Sequence, residues 1–172
     1  MIDTIRVLVD WKCNLKCAYC CNEQAVFRDQ IQPVHLEDIE WSLYPNVCIT
    51  GGEPLLFMDR VASVANASAQ TSLRILYTNG VYLTPSVAVQ LHLYRIGAIN
   101  VGIHIPSTFA KLISNCIQAV RGLPISLRFH AQDIHRERLL SQYPGVSFRF
   151  WKMNDCDRSN ERRVVLIWEA AH

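Results

Sequence analysis

The chain has 172 residues, 50% of them hydrophobic and 19% charged, which excludes a disordered polymer and allows a core burying roughly 70% of the unfolded surface. Seventeen basic and fifteen acidic residues leave a net charge of +2, too weak to argue for nucleic acid alone. No apolar run reaches membrane-spanning length, no signal peptide precedes the first strand, and seven cysteines with three crowded together do not fit a secreted disulfide scaffold, so a reducing, cytoplasmic setting with thiols serving a metal is expected.

The elements follow in chain order. Ile5–Val9 is apolar and β-branched and reads as a strand, followed by a cysteine-bearing loop. Residues 34–44 carry Leu36, Ile39 and Leu43 at helical spacing and predict a short helix. A second strand, Asn46–Thr50, runs into Gly51-Gly52-Glu53-Pro54, and residues 57–69 predict a helix. A third strand, Leu73–Tyr77, stops at Thr78-Asn79-Gly80, and Pro85 opens a helix to Tyr94. Strand four is Ile99–Ile105, stopped by Pro106, and a helix over 107–120 is closed by Gly122 and Pro124. Strand five, Ile125–His130, a helix over 133–142 and strand six, Val146–Trp151, complete the alternation. Residues 152–172 read as a short C-terminal extension with a charged patch, Glu161-Arg162-Arg163, and a last apolar run, Val164–Trp168.

Six strand–helix units with strands apolar on both faces predict an α/β fold, a parallel sheet covered by helices. Six units are too few for a closed eight-stranded barrel, so an open partial (β/α)6 barrel is expected, a single domain with its core over about 3–151. In such sheets ligands gather at the carboxyl ends of the strands. The unusual polar features fall there: the cysteine loop, Gly-Gly-Glu, Thr-Asn-Gly, His104, His130 and Lys152. That placement argues for an enzyme.

Three cysteines, Cys13-x3-Cys17-x2-Cys20, follow the first strand directly. Three thiolates so close can hold three irons of a [4Fe-4S] cube and leave the fourth open to a small molecule. Thiolates also select zinc or copper, so a zinc site of three thiols and a histidine is a second reading and plain buried thiols a third. Cys21 offers another register, Cys17-x3-Cys21.

The stretch Cys13-Asn14-Leu15-Lys16-Cys17-Ala18-Tyr19-Cys20 resembles the cluster loop of the radical S-adenosylmethionine enzymes, and that longer pattern favours Cys20 over Cys21. Ile49-Thr50-Gly51-Gly52-Glu53-Pro54-Leu55 is similar to their glycine-rich motif after strand two, and Tyr77-Thr78-Asn79-Gly80 to their strand-three ending. The resemblance covers about residues 3–150. It implies that Cys13, Cys17 and Cys20 ligate a [4Fe-4S] cluster whose open iron chelates S-adenosylmethionine. One electron then cleaves the sulfonium, and the resulting radical abstracts a substrate hydrogen. It further implies an external electron donor such as a flavodoxin or ferredoxin. Gly51 and Gly52 would let backbone approach the methionine amino group, with Glu53 setting the turn or accepting from the ammonium. Tyr19 would lie beside adenine. Asn79 would make the turn or reach the cofactor.

Arg128 and Arg149 are the cationic candidates on strands five and six, and Arg128 is expected to hold the methionine carboxylate. His104 and His130 are expected to contact ribose or substrate, or to satisfy core hydrogen bonds. The family's Ser, Thr or Asn near His104 is absent, and strand five lacks its glycine-punctuated adenine motif. Cys48 and Cys116 read as core, Cys156 as a thiol in the polar loop Asn154–Asn160, and no second cysteine group marks an auxiliary cluster.

The compact chain predicts an open mouth, suited to a small-molecule or nucleotide substrate, or to a protein or nucleic acid that covers it. The first expectation is a small-molecule or nucleotide-modifying enzyme, since Arg158, Arg162 and Arg163 offer charge and Phe148, Phe150 and Trp151 stacking faces. The alternatives are a glycyl-radical-enzyme activating protein, a 7-carboxy-7-deazaguanine synthase-like enzyme and a non-catalytic Fe–S scaffold. Against the synthase, Cys21-Asn22 stands where a Ser or Thr helps bind magnesium.

Overall fold

The computed structural model describes residues 2–18, 20–104, 106–152 and 161–168. Its strands are β1 (Thr4–Leu8), β2 (Gln32–Val34), β3 (Asn46–Thr50), β4 (Leu73–Thr78), β5 (Ala98–Gly102), β6 (Ser126–Gln132), β7 (Phe148–Trp151) and β8 (Glu161–Leu166). Its α-helices are α1 (Ala25–Arg28), α2 (Met58–Ala67), α3 (Pro85–Leu93), α4 (Phe109–Ala119) and α5 (Arg136–Gln142).

The strands form one eight-stranded sheet in the order β2-β8-β1-β3-β4-β5-β6-β7, and each neighbouring pair runs parallel. The two end strands, β2 and β7, do not pair with each other, so the barrel stays open, as the sequence predicts.

Alternation along the strands assigns the two faces. Ile5, Val7, Val47, Ile49, Leu76, Ile99, Val101 and Phe129 join Val61, Val64, Ala88, Leu91, Ile113 and Leu139 of the helices in one buried core. The intervening residues Arg6, Thr50, Tyr77, Asn100, Gly102 and His130 line the concave face. Among the α-helices, α3 has the clearest local start signal. At α3, the Thr84 hydroxyl accepts from Val87 N–H (3.3 Å) and Pro85 takes the first helical position.

Two differences from the sequence reading matter. Residues 34–44 form only the 3₁₀ turns Leu36–Asp38 and Trp41–Leu43. Pro45 forces the chain to be extended just beyond them, no side chain caps their starts, and so short a segment cannot sustain a helix alone. The tail, read as an extension, supplies β8, which lies inside the sheet between β1 and β2. Its charged opening had masked it as a strand. Glu161 answers Arg6 of β1, and Arg163 donates to Gln30 and stacks on Phe27 at 5.1 Å.

Candidate functional site

A cavity of about 230 Å³ opens at the carboxyl ends of the strands. Cys13, Cys17 and Cys20 line one side of it, with Gly51, Gly52 and Asn79 beside them. Asn100, His130, Arg149 and Trp151 line the other side.

The cysteine loop is anchored at its start by backbone pairing that continues the β1–β3 ladder. Val9 N–H donates to Thr50 C=O (2.9 Å), Gly52 N–H to Asp10 C=O (2.8 Å) and Glu53 N–H to Lys12 C=O (2.9 Å). This pairing explains both glycines. Gly51 has φ +146°, and a Cβ on Gly52 would stand 2.1 Å from the Lys12 carbonyl oxygen. The close approach that excludes side chains here is therefore to the cysteine loop's own backbone. Asp10 caps that loop by accepting from Lys12 N–H (2.8 Å), and Arg60 pairs with the same carboxylate. Arg60 also packs over Trp168, whose indole N–H donates to Val9 C=O (2.8 Å).

Cys13, Cys17 and Cys20 carry free thiols, whereas Cys21 is disulfide-bonded. Burial, and then the neighbouring thiolates of Cys20 and Cys13, hold the Cys17 thiol above its ordinary pKa. Burial raises Cys20 as well, partly offset by the N–H groups of Asn22 and Glu23. The Cys13 sulfur accepts from Leu15 N–H (3.4 Å) and lies 3.9 Å from the Asn79 amide nitrogen. Among the described residues no three His, Cys, Asp or Glu side chains are already clasped round one point, so the three sulfurs share the cavity without being drawn together.

Glu53 is buried behind the cavity wall. One carboxylate oxygen accepts from Leu55 N–H (3.0 Å) and the Thr78 hydroxyl (2.7 Å), and the other from Asn79 N–H (2.7 Å). Burial raises its pKa and these donors pull it back. Thr78 passes the link on by accepting from Gly80 N–H (3.0 Å). Glu53 thus fastens the glycine loop to the end of β4 and has no oxygen left facing the cavity. Asn79 makes its own turn by accepting from Val81 N–H (3.0 Å), while its amide donates to Asn14 (2.8 Å). Asn22 donates to Gly51 C=O at 2.7 Å.

His104 sits at the rim, its ring laid over Gly102, where a Cβ would stand 2.6 Å from Nε2. It keeps solvent on one side, but the protein around the ring disfavours its charged form and lowers its pKa. His130 meets the edge of Tyr77 at 5.6 Å between ring centres. Arg128 is exposed and does not line the cavity; Arg149, its counterpart on β7, does. Cys48 and Cys116 are buried as expected, and burial pushes the Cys116 thiol up to about 12. The expectations for Tyr19, Cys156 and Arg158 lie outside the described residues.

Among the lining residues missed by the sequence reading are two polar strand residues, Arg6 and Asn100. Both interrupt otherwise apolar strands, Ile5-Arg6-Val7 and Ile99-Asn100-Val101. In a sheet with helices on one side, such a residue marks the other face. Arg6 is held by Glu161 (Nε to Oε2, 2.7 Å; Nη2 to Oε1, 3.1 Å) and packs on the Tyr77 ring at 4.4 Å. Burial disfavours its charge, but the hydrogen bond to Glu161 outweighs that and holds its pKa above the ordinary arginine value.

No model of a known protein family matches the chain. It is 35% identical over 131 residues to a GTP 3',8-cyclase of Microcystis aeruginosa (strain NIES-843), covering 66% of this chain and 39% of that protein. A GTP 3',8-cyclase of Rhodobacter capsulatus is 36% identical over 52 residues, which is 30% of this chain and 16% of that one. The chain therefore spans well under half the length of the curated relatives it matches. In fold it is similar to the crystal structure of BtrN in complex with AdoMet and 2-DOIA, with TM-score 0.54 and 20% identity over 84% of this chain and 64% of that one. With its three motifs in order on an open parallel sheet, the chain belongs to the radical S-adenosylmethionine superfamily.

Proposed function

We propose that the chain is an enzyme that holds a [4Fe-4S] cluster on Cys13, Cys17 and Cys20, binds S-adenosylmethionine beside it, and abstracts hydrogen from a nucleotide or other small-molecule substrate. The observation that carries this reading is the convergence of three free thiols, the Gly51-Gly52 backbone and Asn79 on one cavity at the carboxyl ends of β1, β3 and β4.

The donor set fits the cluster. Three soft ligands are present where a closed zinc site would need four, and the disulfide at Cys21 favours Cys20 as the third ligand. A turn joins the last two of these cysteines, with Cys20 N–H donating to Cys17 C=O (3.2 Å). When bound, the reduced cluster supplies one electron to the sulfonium of S-adenosylmethionine and with it the capacity to abstract hydrogen. The residues of the chain do the rest. Leu15 N–H and the Asn79 amide lie against the Cys13 sulfur and would orient that ligand. Glu53 is a positioning residue that keeps the glycine loop and Asn79 in register. His104 and the Gly51-Gly52 backbone line the same cavity and would be available to the cofactor there. The nucleotide part of the reading draws support from the relatives named for GTP. An external one-electron donor such as a flavodoxin or ferredoxin would reduce the site.

Anaerobic reconstitution tests this. We expect about four irons per chain and 5′-deoxyadenosine on adding dithionite and S-adenosylmethionine. Cys20→Ala should lose the cluster, while Cys21→Ala should keep it. A single tight zinc, or retention by Cys20→Ala with loss in Cys21→Ala, would overturn the ligand assignment. A loaded cluster with no turnover would leave only a scaffold.

A further inference from the structure

The polar groups on the two sides of the cavity differ in how they are engaged. On the cysteine side they are engaged within the chain: Glu53 with Leu55, Thr78 and Asn79, Asn79 with Asn14 and Val81, and Asn22 with Gly51. On the far side two of them, Asn100 and Arg149, are not. Asn100 of β5 is 8% exposed and lines the cavity, yet its side-chain amide makes no hydrogen bond among the described residues. An amide that faces the cavity without a protein partner is open to the edge of a ligand. Arg149 of β7 also lines the cavity and makes no hydrogen bond or ion pair among the described residues. Trp151, two residues on along the same strand and so on the same face, adds a flat aromatic surface to the wall.

An amide presents a donor and an acceptor side by side, which matches the edge of a heteroaromatic base. A guanidinium matches phosphate in a two-pronged contact, and an indole stacks on a base of any identity. We propose that Asn100, Arg149 and Trp151 form the substrate end of the cavity and select a nucleotide, with Asn100 reading the base edge, Trp151 stacking on the ring and Arg149 holding the phosphate. This rests on the reading above for the location of the chemistry, and it adds which wall recognises the substrate.

The test is equilibrium dialysis with the anaerobically reconstituted protein in the presence of S-adenosylmethionine. The probes are GTP, ATP, CTP and UTP, the matching nucleosides and inorganic triphosphate. At least one nucleotide should bind. Arg149→Gln should weaken it by about tenfold or more while changing nucleoside binding by less than about twofold. Trp151→Leu and Asn100→Ala should weaken nucleotide and nucleoside alike, with iron content and S-adenosylmethionine affinity preserved. If Asn100→Ala does not fold, the near-isosteric Asn100→Asp makes the same test, and exposed Arg149 gives an independent one. The proposal is overturned if no nucleotide binds, if inorganic triphosphate binds as tightly as the nucleotide, or if Arg149→Gln weakens S-adenosylmethionine as much as the nucleotide. A wild-type protein that takes up neither cluster nor S-adenosylmethionine, yet binds nucleotide with this variant pattern, supports this assignment and overturns the radical reading instead.

Discussion

Glu53 connects three pieces of backbone through one carboxylate, and both its oxygens are committed. Its raised pKa sets the sign of a pH effect. The folded state binds the proton more tightly than the unfolded chain, so its contribution to stability falls as pH rises from about 4.5 through the folded value. Glu53→Gln should remove that slope. It also places a donor where an N–H needs an acceptor, costing about 1–2 kcal/mol at neutral pH in urea unfolding. An unchanged slope would show that another group governs it. The motif containing Glu53 was legible in the sequence, but its role was not. Gly-Gly-Glu-Pro identifies a family loop, whereas only the fold shows that the carboxylate turns inward to β4 and that the glycines make room for Lys12 and Asp10.

β8 is the element whose identity the linear pattern concealed. Its charged start reads as a solvated face, because nothing local reveals that Glu161 will meet Arg6 from a strand 155 positions away. Both partners are nearly buried, with side-chain exposures of 7% and 12%. Removing one charge should be worse than removing both. Glu161→Ala should cost about 3–5 kcal/mol by leaving Arg6 uncompensated, and Arg6→Met combined with Glu161→Leu should recover most of it. Equal losses in single and double variants would show that packing, not charge, decides the site. By contrast, β3, β4, α2 and α3 were legible nearly to the residue, since caps, glycine turns and apolar runs all agreed locally.

At the scale of the molecule, β8 closes the gap between β1, which leads into the cysteine loop, and β2. Deleting residues 161–172 should therefore abolish cooperative unfolding, because it exposes the β1 edge and removes buried Val164 and Leu166, worth about 3–6 kcal/mol in burial alone. A truncated chain that unfolds as cooperatively as the whole would restore the reading of the tail as a dispensable extension. The sequence by itself determined the parallel α/β sheet, the order of its first six units and the three motifs at strand ends, because hydrophobic period and turn chemistry are written locally. Only the tertiary structure decided that the tail enters the sheet, that Arg6 and Asn100 face the cavity and that Arg149 lines it while Arg128 does not. Those depend on strand register and on which face the helices cover, and both are settled by contacts between residues far apart in the chain.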